Sequence, residues 1–533
     1  MPALRQVPIS RTHHGARDLL FRILPTRFGV LTLAAISAAL GLNLNLSAAT
    51  VKGTVLDRFT GRALARAEVK LMPVSGTAGD QQTLFTSIAG NFEFGDVRPG
   101  YYLLSAARRG FATAWYGQKA WNSAAVPLTI ADERDELNLP LYPRRLGAIS
   151  GTVWDENEIG IAGIKVAAYR ASRPPRLVAE AQADDRGFFR IGELEPGAYF
   201  IRSAGHRLPG GDGLLPAFFK NTAELDRAWP IETQLEEEAA DRNFRPEVGE
   251  LYELSGEIVF PKAEVTIELV SPLERIRTRS GDGGGFRFPN VAPGVYELFA
   301  EGVLADRYRT ERFSAYRMVS IDNGNEHLRF GLDPLSRISL KLEDQDANPV
   351  PIEQVVTLIR RLDLAGALAP KTVTEQTAEL AAGRWEIAVL PRGGRYTAAI
   401  EGPSLVPGRG DGWIEFKLLG RRDLPIKAIV SPNAASIRGR VTSGAGRPVG
   451  GAPVFLRAVN LPPEKRVGDP RSTRASPGGE YRFTGLAPGQ YRLMSSFEFA
   501  APDDGRMAAA RAAEVSVGES EEREQNLELF VLR

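Results

Sequence analysis

The sequence predicts an all-β protein, a tandem array of five β-sandwich domains behind an N-terminal signal peptide. One pattern, Gly-x-aromatic-x-apolar running into Pro-Gly or Pro-Arg-Gly and then Tyr, recurs five times. Its prolines, Pro99, Pro196, Pro293, Pro391 and Pro488, stand 97, 97, 98 and 97 residues apart, a spacing that lets each unit bury its own core. Apolar and polar residues alternate through these stretches, the period of a half-buried strand, and no stretch of comparable length carries the helix period. Short alternating segments punctuated by Gly and Pro, six or seven to a unit, point to sandwiches.

Within each copy the opening glycine, Gly90, Gly187, Gly284, Gly383 or Gly479, suits a turn position with positive φ. Phe92 and Phe94, Phe189 and Ile191, Phe286 and Phe288, Trp385 and Ile387, and Tyr481 and Phe483 then form the inward row of one half of a hairpin. Pro followed by Gly fits the central positions of a type II turn; the fourth copy, Pro391-Arg392-Gly393-Gly394, predicts a looser one. Upstream lies a first strand, VKGTV from Val51, ISGTV from Ile149, LSGEI from Leu254, ISLKL from Ile338 and IRGRV from Ile437. The glycine in its inward row (Gly53, Gly151, Gly256, Gly439; Leu340 in the fourth copy) leaves room for a bulky neighbour such as a hairpin aromatic. A further strand centres on Val69, Val166, Val265, Val355 or Val356, and Val454.

These marks divide the chain into a signal peptide at 1–49 and sandwiches at 50–145, 146–250, 251–335, 336–432 (degenerate) and 433–533. The stretches 234–250 and 401–413 read as linking segments. Arg17, Arg22 and Arg27 precede an apolar run from Phe28 to Leu42, and Ser47-Ala48-Ala49 supplies the small residues of a cleavage site. An uncleaved anchor is the competing reading, but the run is shorter than the roughly 20 residues a membrane span needs. Export to the periplasm, the outer surface or the medium is therefore expected, with no span in the mature chain.

Composition narrows the function. Of 533 residues 43% are apolar and 25% charged, too apolar for disorder. Net charge is +1, and without residues 1–49 the balance is 61 basic against 64 acidic residues, which offers nothing to nucleic acid. Cysteine is absent, so each unit must be held by its core alone. The histidines are His13, His14, His206 and His327. Two of them precede the mature chain, too few for a zinc site without Cys, and no Gly-x-Ser-x-Gly elbow accompanies them. Neither a catalytic residue, a metal site nor a cofactor is expected.

The Gly-centred first strand, the Val-centred strand, then G-x-F-x-F, Val or Leu, Pro-Gly and x-Tyr resemble the carboxypeptidase regulatory-like domain. The resemblance is close in copies one, two, three and five and weak in copy four. It implies transthyretin-like, or more broadly Ig-like, β-sandwiches, grouped with carbohydrate-binding-like folds, in a non-catalytic role. The peptidase itself is missing, since neither His206 nor His327 has a glutamate three residues on.

Two aromatic segments are the candidate ligand-binding sites: Trp115, Tyr116 and Trp121 after the first copy, and Phe218, Phe219 and Trp229 after the second. Rings beside Asn and Gln have the composition of a sugar-binding face, with a ring on the apolar face of a pyranose and amides on its hydroxyls. The alternative is that they cover the end of the sandwich or pack against the next unit. Asp184-Asp185 and Asp282 before their glycines fit turns better than calcium. Arg409-Gly410-Asp411 in a Gly-rich loop is a match expected by chance. A Lys52–Asn138 isopeptide bond fails because alternation turns Lys52 to solvent. The resulting expectation is a monomeric, exported, non-enzymatic array at the cell envelope that binds a polysaccharide, with a structural or envelope-protein-binding stalk as the alternative.

Overall fold

The computed structural model describes residues 49–74, 80–260, 264–305 and 310–532; the expected signal segment lies outside them apart from Ala49. Among the described residues strands dominate, and the α-helix Asp504–Ala509 is capped by the Asp503 carboxylate, which accepts from Arg506 N at 2.7 Å. No helix among them is long and apolar enough to cross a membrane.

One two-sheet plan recurs. In its first instance the strand Ala49–Thr54 runs antiparallel to Asn91–Val97 and parallel to Glu136–Asn138. The facing sheet sets Glu68–Pro73 between Gln82–Phe85 and Gly100–Ala107, and the last of these also pairs with Leu128–Ile130. Gly147–Thr152, Tyr252–Val259 and Ala435–Thr442 occupy the same central place in later instances, each with one antiparallel neighbour and parallel pairing on its other side, which in the last is shared by Glu522–Glu524 and Leu527–Glu528. Alternation closes the sandwich: Val51, Phe92, Phe94, Val69, Leu71 and Leu104 point into one cluster of buried side chains. Four further large clusters follow along the chain, around Phe189 and Tyr199, around Phe288 and Leu298, around Ile387 and Phe416, and around Phe483 and Leu493.

The Pro-Gly turn is not a hairpin. Asn91–Val97 and Gly100–Ala107 lie in different sheets, so the turn is a corner between the layers. A β-bulge precedes it, seen as a register shift between Ala49 and Val51, and its positive-φ residue is Asp96 (φ 55°). Glu193, Asn290 and Gly485 repeat this at φ 58°, 60° and 65°. The turn glycines Gly100, Gly197 and Gly294 adopt φ 157°, 138° and 155°, far from the roughly +80° of a type II turn. The tyrosine that follows locks the corner. Its hydroxyl donates to the carbonyl four residues back, Tyr102 to Arg98 at 2.9 Å, Tyr199 to Glu195, Tyr296 to Ala292 and Tyr491 to Ala487 at 2.7 Å, as in the tyrosine corners of other sandwiches.

The fourth copy is out of phase with the sequence reading. Gly383–Pro391 pairs with Val355–Asp363 and Ile414–Leu418 in the second sheet, whereas the first strand Ser336–Asp344 pairs with Thr377–Leu380. Gly383 (φ 143°) is thus the corner glycine, and Ala382 stands where the other copies have proline. Pro391 lies beyond the corner, at the end of that strand. The constant interval was a coincidence in this copy.

The first-strand glycines are required, for a reason only partly foreseen. A Cβ on Gly53, Gly256 or Gly439 would sit 2.8, 2.6 or 3.1 Å from the ring of Phe92, Phe286 or Tyr481. Closer still is the backbone beside the parallel strand: Leu139, Leu328 and Gln525 oxygens at 2.1, 2.3 and 1.8 Å, and Arg242 O at 2.4 Å from Gly151. The stretch 234–250 is not a linker, because Glu238–Ala239 is that parallel strand and Phe244 is buried in the same core.

Candidate functional site

The segment after the first corner forms a self-bonded loop. Trp115 pairs with Ser105 at the sheet edge, and the Gln118 amide donates to Trp121 O at 2.8 Å and to Ser123 O at 2.9 Å. Ser123 Oγ accepts from Lys119 N and Ala120 N, each at 3.0 Å. The Gln118 amide, cast by the sequence as a sugar contact, is consumed inside the loop. Trp115, Tyr116 and Trp121 are half-buried and line an open groove of about 440 Å³ with Arg58, Tyr142 and Arg144, and Tyr116 also rests on the core.

The far side of this loop meets the C-terminal sandwich. Ala124 N donates to Phe497 O at 3.0 Å and Ala500 N to Asn122 O at 2.8 Å. Lys119 Nζ is 2.6 Å from the Glu498 carboxylate, and Arg474 donates to Ala125 O at 3.1 Å. Ala124 and Ala125 are buried there, and Pro127 fills the space beside Gly451. The chain therefore closes on itself, joining residues 379 and 349 positions apart. The sequence offered both packing and sugar binding for these rings. Nothing in a single sequence said that the loop's partner would be the last sandwich, not the next.

The second aromatic segment behaves differently. Phe218 is 1% exposed, its ring edge-on to Phe200 at 6.1 Å, which leaves no face for a ligand. Phe219 packs half-buried on the core of its own sandwich. Trp229 is 59% exposed, with Lys220 Nζ 4.2 Å over its ring. The structure does not bring these rings together with Trp115, Tyr116 and Trp121 into one site.

A charged junction that sequence reasoning missed joins the third and fourth sandwiches. The Glu268 carboxylate accepts from Arg275 at 3.0 Å, from Arg361 at 2.8 Å, and from Arg277. Arg275 also pairs with Asp363, and the Arg361 guanidinium lies 4.3 Å over the Phe299 ring. Burial alone would raise the Glu268 pKa, but hydrogen bonds from Arg277 and Arg361 outweigh it and hold the carboxyl below its ordinary value. Beside it Glu297, 1% exposed, accepts from Leu364 N at 2.7 Å and from the Tyr316 hydroxyl at 2.8 Å. Burial and that carboxylate push the tyrosine up to about 12. These charges are bonded to one another across the junction of the two sandwiches.

The remaining candidates resolve as structure. Asp184 Oδ1 accepts from Arg186 N and Phe188 N, both at 2.9 Å, a turn built by its own side chain. Arg409 is bonded to Asp411 at 2.9 Å and to Pro488 O at 3.1 Å, so the triplet folds inward. Lys52 lies in register with Asn138 but pairs with Glu136. His327 Nδ1 is 3.3 Å from Ser255 Oγ on an exposed sheet face, and His206 has its pKa lowered by burial. Among the described residues no three His, Cys, Asp or Glu side chains are grouped to hold a metal.

Residues 50–136 and 436–528 match the carboxypeptidase regulatory-like domain. These two segments belong to the sandwiches that meet at the closure. No curated protein sequence matches the chain. Among solved structures, the minor pilin GBS52 of Streptococcus agalactiae is similar at 14% identity over 38% of this chain and 97% of that chain, with a TM-score of 0.24. The RrgB pilus protein of Streptococcus pneumoniae is similar at 8% identity over 73% and 98%, with a TM-score of 0.15. The major pilin BcpA of Bacillus cereus follows at 11% identity over 72% and 99%, with a TM-score of 0.14.

Proposed function

We propose that the chain is a non-catalytic, exported envelope scaffold of five β-sandwich modules, closed by contact between the first and the last, that offers protein-binding surface. The observation that carries this reading is the docking of the Trp115–Pro127 loop on the Phe497–Ala500 segment. Such a loop acts as a clasp, and two of its main-chain bonds are made to another module of the same chain. Carboxypeptidase regulatory-like domains at both sides of the clasp suit an accessory role. The test is a pull-down of whole-cell envelope extract with the full chain and with a chain whose clasp is broken by Lys119→Glu and Ala124→Pro. Partners held by the intact chain and lost by the open one support the scaffold; identical sets from both argue against it.

A second reading, polysaccharide binding, keeps one specific support: Trp115, Tyr116 and Trp121 line the same open groove as the 44%-exposed Tyr142. Retention on immobilised envelope polysaccharide that falls with Trp115→Ala plus Trp121→Ala favours it. Retention unchanged by that double substitution removes these rings from the account.

A further inference from the structure

The clasp joins two different surfaces, the Lys119–Pro127 loop at one end of the array and the Gly451, Arg474 and Phe497–Ala500 surface at the other. Surfaces of this kind pair head to tail, and nothing in the pairing itself requires that both belong to one molecule. We propose that the clasp is exchangeable: the first module of one chain docks on the fifth module of a second copy, so that chains assemble head to tail through the contact that otherwise closes each of them.

Three observations carry the proposal. Among the described residues the contact includes two main-chain hydrogen bonds, the Lys119–Glu498 ion pair, the Arg474 bond to Ala125 O and the packing of Ala124, Ala125 and Pro127, an area of small side chains and polar groups. The buried clusters around Phe94 and Phe483 remain separate, so each module keeps its own core when the clasp opens. The contact also bridges 379 positions along the chain, which makes closure an intramolecular association between distant modules and not a step in folding either one. Its cis form is favoured by effective concentration and by bonded junctions between successive sandwiches such as Glu268–Arg361, and raising the protein concentration shifts the balance toward contacts between chains. The inference rests on the clasp described above, and the experiment separates failure of the clasp from failure of exchange.

The chain has no cysteine, so an introduced thiol is unique. A chain carrying both Lys119→Cys and Glu498→Cys, treated with a short bis-maleimide at micromolar protein, reports the clasp as a cross-linked monomer. A mixture of a chain carrying only Lys119→Cys with one carrying only Glu498→Cys reports exchange, because a cross-link then requires two molecules. The control replaces the first partner by Arg173→Cys, at a 94%-exposed side chain in the second sandwich. The proposal expects cross-linked dimers in the mixture that increase with protein concentration and exceed the control by at least about tenfold. Dimers no more abundant than in the control, while the doubly substituted chain cross-links in cis, overturn exchange and leave the clasp standing. No cis product either overturns both.

Discussion

Trp385 Nε1 donates to Ala381 O at 2.9 Å, four residues back, in the fourth sandwich. At Tyr102, Tyr199, Tyr296 and Tyr491 a tyrosine hydroxyl makes the same bond to the residue before proline. A different ring with a different donor atom thus holds the same corner, because the corner requires a rigid side chain with a polar tip at that distance and not tyrosine as such. The bond spans the place where the chain leaves one sheet for the other, so its loss should loosen the sandwich.

Tyr491→Phe is therefore expected to destabilise the fifth sandwich by about 1 kcal/mol, the net worth of one hydrogen bond, more if Ala487 O is left without water. Hydrogen exchange of the amides in Glu480–Leu486 and Gly489–Ser495 measures it locally. Protection unchanged by the substitution would show that the hydroxyl contributes nothing to the corner.

Gly439→Ala should be among the most damaging single changes. The new methyl would stand 1.8 Å from Gln525 O and 3.1 Å from the Tyr481 ring, and backbone between the parallel strands Glu522–Glu524 and Leu527–Glu528 cannot swing aside as a flexible side chain can. A loss on the order of 3 kcal/mol is expected, at the upper end of ordinary substitutions. Gly95→Ala is the control: a Cβ there meets nothing within 4 Å, and alanine in a strand is neutral to slightly favourable. Thermal unfolding of both variants beside the parent checks the contrast.

The junction of the third and fourth sandwiches should be acid-labile. Because the folded-state pKa of Glu268 is depressed, the stability it contributes is complete above its unfolded value near 4.5 and is lost as pH falls through the lower folded value. As pH falls through that lower folded value the carboxyl takes a proton, and Arg361, only 11% exposed at its side chain, loses its main partner. Protease accessibility of the Val355–Asp363 strand, followed from pH 6 to pH 3, should rise in that window. In Glu268→Gln it should already be raised at pH 6 and vary little with pH.

The strands and the sheet class were legible because each sandwich writes its inward row locally, as Phe92 and Phe94 or Tyr481 and Phe483 do with period two. The corner was not. A hairpin and a passage between sheets share the same Pro-Gly and the same alternation, and they differ only in which strand lies alongside, a non-local fact. The fourth copy misled for a related reason: GRWEI fits the Gly-x-aromatic-x-apolar template, yet Gly383 and Trp385 play the roles of corner glycine and tyrosine. The clasp was invisible for the same reason at larger scale, since Ala124 and Phe497 carry no mark of complementarity in one sequence.

Opening the clasp should change the shape of the molecule without unfolding any module. Lys119→Glu places a second carboxylate beside Glu498, whose side chain is only 10% exposed and cannot turn freely into water. Ala124→Pro removes the N–H that donates to Phe497 O. An exposed ion pair is worth up to about 1 kcal/mol and a main-chain hydrogen bond about as much, so the two changes together with the new like-charge contact shift the closed-to-open balance by roughly 30-fold or more. Small-angle scattering should report a larger radius of gyration for the double variant, with far-UV circular dichroism unchanged. Adding Glu498→Lys to Lys119→Glu restores opposite charges across the contact and should recover part of the compact dimension, whereas a general unfolding effect would not be reversed by a second substitution. A double variant as compact as the parent would mean that the ends are held together by the three intervening sandwiches and that the loop merely lies against its neighbour.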